Sequence, residues 1–290
     1  MQEQTRDRLT ATGSIAVSSV FHYLGPAFAV LLFAHVDVFG VAWLRIASAA
    51  VVFAVWRRPW RLLLHSDRRR TLLALGVVLA AMNTMFYLAI ARLPLATVGS
   101  VEFLGVIVLA AAGVRGPRNA FALGLAVAGV FTLTGVRFAG EPLGFAFAFA
   151  NCALFMLYVT LGHRIAGTAG GVDQLGAAML VAAVVAAPLG LAGAAPAFGH
   201  PGLLLAGVGV GVCSSVIPYV ADQLAMARLR RATFALTLSL LPACATVIGL
   251  LVLAQRPTVR DLLGVALVVA AVATHTPSPQ RKEPACSTPV

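Results

Sequence analysis

Apolar residues run along this chain in long blocks, and polar positions fall between the blocks rather than alternating with them. The stretch LLGVALVVAAVA (262–273) is representative. A helix needs about 20 mostly apolar residues to cross a bilayer. Ten blocks approach that length, near 13–34, 40–56, 71–91, 94–114, 120–136, 143–162, 174–194, 203–225, 232–254 and 260–275, the second, fifth and tenth being short. Backbone in lipid must satisfy its own hydrogen bonds, so the choice is helix or closed barrel. Barrel strands would alternate apolar and polar residues, and these blocks do not, which predicts an all-α membrane protein of ten helices. Arg6 and Arg8 ahead of the first block resemble the start of a signal peptide. The nine blocks that follow favour an uncleaved first helix.

The composition agrees. Of 290 residues, 60% are hydrophobic and 11% charged, against about 45–50% and 25% in soluble domains. The net charge of +11 would suit nucleic acid, but its distribution does not. With the N-terminus in the cytoplasm, sixteen of the 21 basic residues fall on the inner side and four on the outer, with Arg45 inside the second block. That asymmetry follows the positive-inside rule and predicts both termini in the cytoplasm. The densest cluster, RRPWRLLLHSDRRR (57–70), becomes a loop beside anionic lipid headgroups. No solvated segment is large enough for a basic nucleic-acid-binding face.

The chain also repeats itself. ARLPLAT (91–97) matches ARLRRAT (227–233) at an offset of 136 residues, and RGPRNAFALGLAVAGV (115–130) follows the pattern of QRPTVRDLLGVALVVA (255–270) after a slip of four. The unit is five helices. An odd number inserts the second copy upside down, the arrangement found in many secondary transporters. The expected organisation is a first repeat over 13–136, a second over 143–275 and a disordered cytoplasmic tail over 276–290 rich in Pro and Ser.

The segments WLRIASAAVVFAVWRRPWRL (43–62), MNTMFYLAIARLPLATVGSVEFLG (82–105) and IPYVADQLAMARL (217–229) resemble the drug/metabolite transporter superfamily. More narrowly, they resemble EamA-type transporters close to the bacterial threonine/homoserine exporters. The likeness covers about 15–275 and is most specific around Asn83 and Glu102. It implies two inverted five-helix repeats, an inner-membrane location and efflux of amino acids or small metabolites. Two departures weaken transfer of substrate and coupling ion. Leu241-Pro242 stands where many relatives have Glu-Pro, and Ala254-Gln255 where many have Gly-Glu.

Of the ten acids, only Glu102 and Asp222 fall inside predicted blocks and away from their first residues, Asp261 standing at the very start of the tenth. Ionisable groups at such depth face the bundle interior or a hydrated cavity and mark ion or substrate paths. Glu102, about eight residues into the fourth block, lies roughly 12 Å below the outer surface. It is the candidate proton carrier; the alternative is a protonated residue that bonds a neighbouring helix. Asn83 and Tyr87 share a face of the third helix and suit a zwitterionic substrate or interhelical bonding equally. Ser215, Tyr219 and Asp222 form a similar stripe on the eighth, where Asp222, near the cytoplasmic end, is read as interfacial. Asn151, Phe155 and Tyr158 recur at helical spacing on the sixth, which suits packing as well as ligand contact. Ser18 and His22 share a face of the first helix ahead of Gly25-Pro26, and His22 is either a titrating group or a bonded core residue. Arg45 either snorkels outward or attracts a substrate carboxylate. Pro218 and Pro242 are candidate helix breaks. GVGVG (207–211) suits close helix approach and lacks the Lys-Ser/Thr of a phosphate loop.

The remaining chemistry is sparse. Cys152, Cys213 and Cys244 lie in predicted helices and Cys286 in the tail, with no C-x-x-C spacing, and no metal-ligand set or nucleophile motif occurs. The expected function is secondary active export of amino acids or related metabolites by alternating access, coupled to protons, with no cofactor. Its partners are the small-molecule substrate, protons and membrane lipids; oligomeric state is open. The rivals are a proton-independent facilitator or exchanger, a drug exporter, and an intramembrane lipid-modifying enzyme.

Overall fold

The computed structural model describes residues 2–65, 68–112, 117–134, 141–166, 170–228 and 240–274. Among these, all regular structure is helical. The helices are α1 (Gln2–Leu32), α2 (Val38–Arg57), α3 (Trp60–His65), α4 (Arg69–Ile90), α5 (Leu95–Ala112), α6 (Pro117–Thr134), α7 (Pro142–Ala166), α8 (Gly171–Phe198), α9 (Pro201–Gly211), α10 (Ile217–Arg228), α11 (Leu240–Leu253) and α12 (Val259–Thr274). A five-residue π turn, Val212–Val216, joins α9 to α10 without a break. Among the described residues five helices are long and apolar enough to cross a membrane: α2, α4, α7, α8 and the continuous Pro201–Arg228. Shorter apolar stretches lie at Val17–Leu32, Leu95–Gly105, Ala120–Gly129 and Cys244–Leu253.

Several boundaries differ from the sequence expectation. The second block, read as short, forms a full 20-residue helix because Asp37 caps it, its carboxylate accepting from the Phe39 N–H at 2.9 Å. The first helix continues through polar residues to Gln2. The basic loop contains the short helix α3, which hydropathy alone does not signal. Residues 229–239, which carry most of the ARLRRAT copy, and the tail 276–290 lie outside the described residues.

The surface is apolar, unlike that of a soluble protein, and a set of ionisable and amide side chains lies inside the apolar core. Val55, Leu251, Leu205 and Val184 are 79, 77, 74 and 73% exposed, whereas His22, Arg45, Asn83, Glu102, Asn151 and Asp222 are all buried. Such a surface suits lipid, which gives no hydrophobic force between helices, so close backbone approach holds them together. The α2/α8 seam shows this. A Cβ on Gly40 would fall on the backbone of Gly193, and one on Gly190 would meet Trp43 and the Phe39 carbonyl. Within GVGVG, Gly207 packs on Leu44 and Gly211 on Ser48 and the Arg45 carbonyl, while Gly209 faces open space. The small-residue contact therefore runs one helical turn apart along α9, at positions 207 and 211.

Helix α1 lies against α10 and α11, and α7 against α4 and α5; α2 packs on α8, and α6 on α12. Polar residues from α1, α2, α4, α5, α7 and α10 are thereby drawn to one buried region.

Candidate substrate and proton site

Three side chains meet Glu102 on α5. The Tyr23 hydroxyl donates to Oε2 at 3.1 Å and Asn151 Nδ2 donates to Oε1 at 3.1 Å. His22 Nε2 lies 3.7 Å from Oε2. Glu102 is 2% exposed, as its depth in the sequence predicts. The carboxylate orients the Asn151 amide, NH2 toward the acid. Its Oδ1 is left buried without a donor among the described residues.

Arg45 does not snorkel. It is 3% exposed and points inward. Its Nε donates to Ser215 Oγ at 2.8 Å, and its Nη2 to the Ser214 carbonyl at 2.7 Å and to the Tyr219 hydroxyl at 3.5 Å. The Ser214 contact follows from the chain. Pro218 has no N–H for the carbonyl four residues back, so that oxygen accepts from Arg45 instead. The guanidinium also lies over the rings of Tyr87 and Tyr219, 5.3 and 5.9 Å from their centroids. Among the described residues no carboxylate lies within ion-pair distance of Arg45. A buried charge needs compensation; here it comes only from dipoles and ring faces.

Asn83 links the two sets. Its Nδ2 donates to the Leu79 carbonyl at 2.7 Å and its Oδ1 accepts from the Tyr219 hydroxyl at 3.2 Å. His22, Arg45, Met82, Asn83, Phe86, Glu102, Asn151 and Tyr219 line one pocket. The free space among them is narrow, room for about one water molecule.

Of the residues singled out from sequence, His22, Arg45, Asn83, Glu102, Asn151 and Tyr219 therefore line this pocket. Tyr87 and Tyr158 do not. Tyr87 lies behind Arg45 as a ring platform. Tyr158 turns to another buried acid, donating to Asp222 Oδ2 at 3.4 Å. Asp222 itself is not interfacial: it is 2% exposed, and Ser18 Oγ donates to its Oδ1. Distance from a helix end measures depth along the axis but not the direction a side chain faces, and α1 and α7 close over this one. Sequence reasoning missed Tyr23, which carries no signal among apolar neighbours. It also missed Ser214, whose signal was present in the proline four residues on. No group of three His, Cys, Asp or Glu side chains suited to a metal occurs among the described residues.

An apolar exterior, helices of membrane-spanning length and a buried polar pocket among them define a multi-pass membrane protein. Residues 142–275 match the EamA-like transporter family. The chain is 32% identical over 263 residues to the threonine/homoserine exporter RhtA of Salmonella typhimurium (strain SL1344), covering 89% of this chain and 87% of that protein. It is 32% identical over 253 residues to the RhtA exporter of Escherichia coli (strain K12), covering 85% and 84%. A protein of known crystal structure, 21% identical, superposes with a TM-score of 0.63 over 94% of this chain and 98% of its own and shares the fold. This chain belongs to the EamA family of drug/metabolite transporters, near the RhtA branch, and is a transporter rather than an enzyme.

Proposed function

We propose that the protein exports small amino acids or related metabolites across a bacterial inner membrane, exchanging them for protons by alternating access. The observation that carries this reading is the lining of one pocket by a buried cation, Arg45, with no acid partner among the described residues, and a buried carboxylic acid, Glu102. A zwitterionic amino acid complements both. Its carboxylate would take the donors of Arg45, which is suited to carboxylates by its planar fork. Its ammonium would take Glu102 and the open Asn151 Oδ1. Asn83 and Tyr219 would hold the polar side chain of a substrate such as threonine, the substrate named for the RhtA relatives.

Proton coupling follows from competition. A carboxylate holds either a proton or an ammonium ion, because both seek the same oxygens. Glu102 therefore loads a proton when substrate leaves and releases it when substrate binds. Each crossing of the membrane carries one or the other, which is antiport. Inward proton movement then drives amino acids outward. The narrow pocket must widen toward one side at a time, and the π turn beside Pro218 is a natural place for α9–α10 to bend.

Two observations support ten spans in two inverted halves with both termini inside. Asn83 and Tyr219 stand 136 residues apart, the offset of the sequence repeat, and bond each other. Equivalent positions touch only near a twofold axis. The helix contacts also exchange between halves: α1 against α11 has its counterpart in α7 against α5, and α1 against α10 in α7 against α4.

The test is transport in proteoliposomes. Threonine should accumulate against its gradient on the side that is made acidic, and Glu102→Gln should abolish that response while leaving protein in the membrane. Counterflow indifferent to pH in the wild type would favour the rival, a proton-independent exchanger in which Tyr23, Asn151 and His22 merely hold Glu102 in place.

A further inference from the structure

Substrate binding and proton competition use Glu102, and Asp261 caps its own helix, which leaves one more buried acid, Asp222, without a task. A fully buried aspartate in a membrane helix is costly and is normally functional. We propose that Asp222 is the inner station of the proton path, receiving through His22 the proton that Glu102 takes up from outside. This rests on the proton-coupled reading of Glu102.

The placement comes from α1. Ser18 and His22 are four residues apart and lie on the same face of that helix, about 5–6 Å from each other. Ser18 holds Asp222 Oδ1, and His22 lies 3.7 Å from Glu102 Oε2. One face of one helix therefore touches both acids on adjacent turns. Glu102 belongs to the first half of the chain and Asp222 to the second. On the orientation set by the charge asymmetry, α1 runs outward, so the order from outside to inside is Glu102, His22, Ser18 and Asp222. Asp222 lies about six residues, roughly 9 Å, from the cytoplasmic end of α10. It stands between the substrate pocket and the cytoplasm.

The groups facing Asp222 are Ser18 and His22 from α1, Glu102 from α5, Tyr158 from α7 and Tyr219 on its own helix. From α8 and the π turn no charged side chain acts on it among the described residues. Among the described residues no arginine or lysine pairs with it, so it is free to change charge in each cycle. Imidazole suits the intermediate place, since it accepts a proton on one nitrogen and gives one up from the other. The Glu102 O–H passes its proton to His22, leaving the carboxylate ready for an ammonium ion. The imidazolium passes a proton to the Asp222 carboxylate, which surrenders it to cytoplasmic water. One proton moves inward, and only O–H and N–H bonds form and break. If Asp222 were only a clasp joining α1, α7 and α10, substitution would lower stability without touching the coupling.

The experiment compares wild type, Asp222→Asn, Ser18→Ala and Tyr158→Phe in threonine-loaded proteoliposomes. Counterflow at equal pH reports folding and substrate binding; accumulation driven by a pH gradient reports coupling. Asp222→Asn should keep counterflow and lose gradient-driven accumulation by at least about tenfold. Ser18→Ala and Tyr158→Phe each remove a donor that favours the charged carboxylate. They should therefore move the half-maximal pH of accumulation upward while counterflow persists. Wild-type accumulation in Asp222→Asn overturns the proposal. If Asp222→Asn loses counterflow as well, unshifted pH profiles in both other variants overturn it. Absence of pH-driven accumulation in the wild type sinks the proton-coupled reading itself, a result distinct from either.

Discussion

If Arg45 receives the substrate carboxylate, replacing it with lysine has a predictable and selective cost. Lysine keeps the positive charge and loses the planar fork. Two kinds of contact disappear. The bonds to Ser215 Oγ at 2.8 Å and to the Ser214 carbonyl at 2.7 Å are internal, and their loss weakens every substrate alike. The bond to the substrate carboxylate affects only substrates that have one. A hydrogen bond between charged groups contributes about 1.5–3 kcal/mol, and each 1.4 kcal/mol is tenfold in affinity. The preference for an amino acid over its decarboxylated amine should therefore fall by about 10- to 100-fold in Arg45→Lys. The assay is competition by each compound against labelled threonine in counterflow. The ratio of the two inhibition constants cancels the internal damage, including the orphaned Ser214 carbonyl that Pro218 cannot serve. An unchanged ratio would refute the assignment, even if overall transport dropped.

Further outcomes follow from the packing. A Cβ on Gly25 would meet the Ser214 backbone at 2.8–2.9 Å, so Gly25→Val should lower the melting temperature in detergent, overpacking costing about 1–3 kcal/mol. Gly209→Ala, within GVGVG on α9, where a Cβ meets nothing, should leave it unchanged. Thr258 and Asp261 form a reciprocal cap on α12, Asp261 Oδ2 accepting from the Thr258 N–H at 2.9 Å and Thr258 Oγ1 from the Asp261 N–H at 3.2 Å. Thr258→Ala should cost about 0.5–2 kcal/mol with transport kinetics retained in the folded fraction. Arg57 and Asp173 pair where both are part-exposed. Such pairs contribute at most about 1 kcal/mol, so Asp173→Asn should scarcely move the melting temperature, and a large drop would show that the pair is poorly screened.

Much of the candidate site was legible because lipid reverses the usual noise. In a soluble protein polar residues are everywhere; in an apolar block each one stands out. Glu102, Asn83, Asn151 and Arg45 could be selected on that ground, and the structure brings all four to one pocket. Hydropathy gives each block its place along the chain but not its rotation, so it could not say that Asp222 turns inward or that Tyr158 turns away from the pocket. Rotation depends on partners distant in sequence, such as Ser18, 204 residues from Asp222. Tyr23 was invisible for the complementary reason: a tyrosine is common in apolar helices and gains meaning only when Glu102 is placed against it. The π turn was half legible. Pro218 announced a freed carbonyl, but not that an arginine from α2 would occupy it.

The central claim is that proton and amino acid compete for Glu102. The most direct measurement is the proton released when threonine is added to purified protein in weakly buffered solution, read with a pH-sensitive dye. The wild type should release up to one proton per threonine bound, with affinity falling as the solution is acidified, and Glu102→Gln should bind without release. Binding of threonine with no proton release at any pH, or equal release from Glu102→Gln, would contradict it.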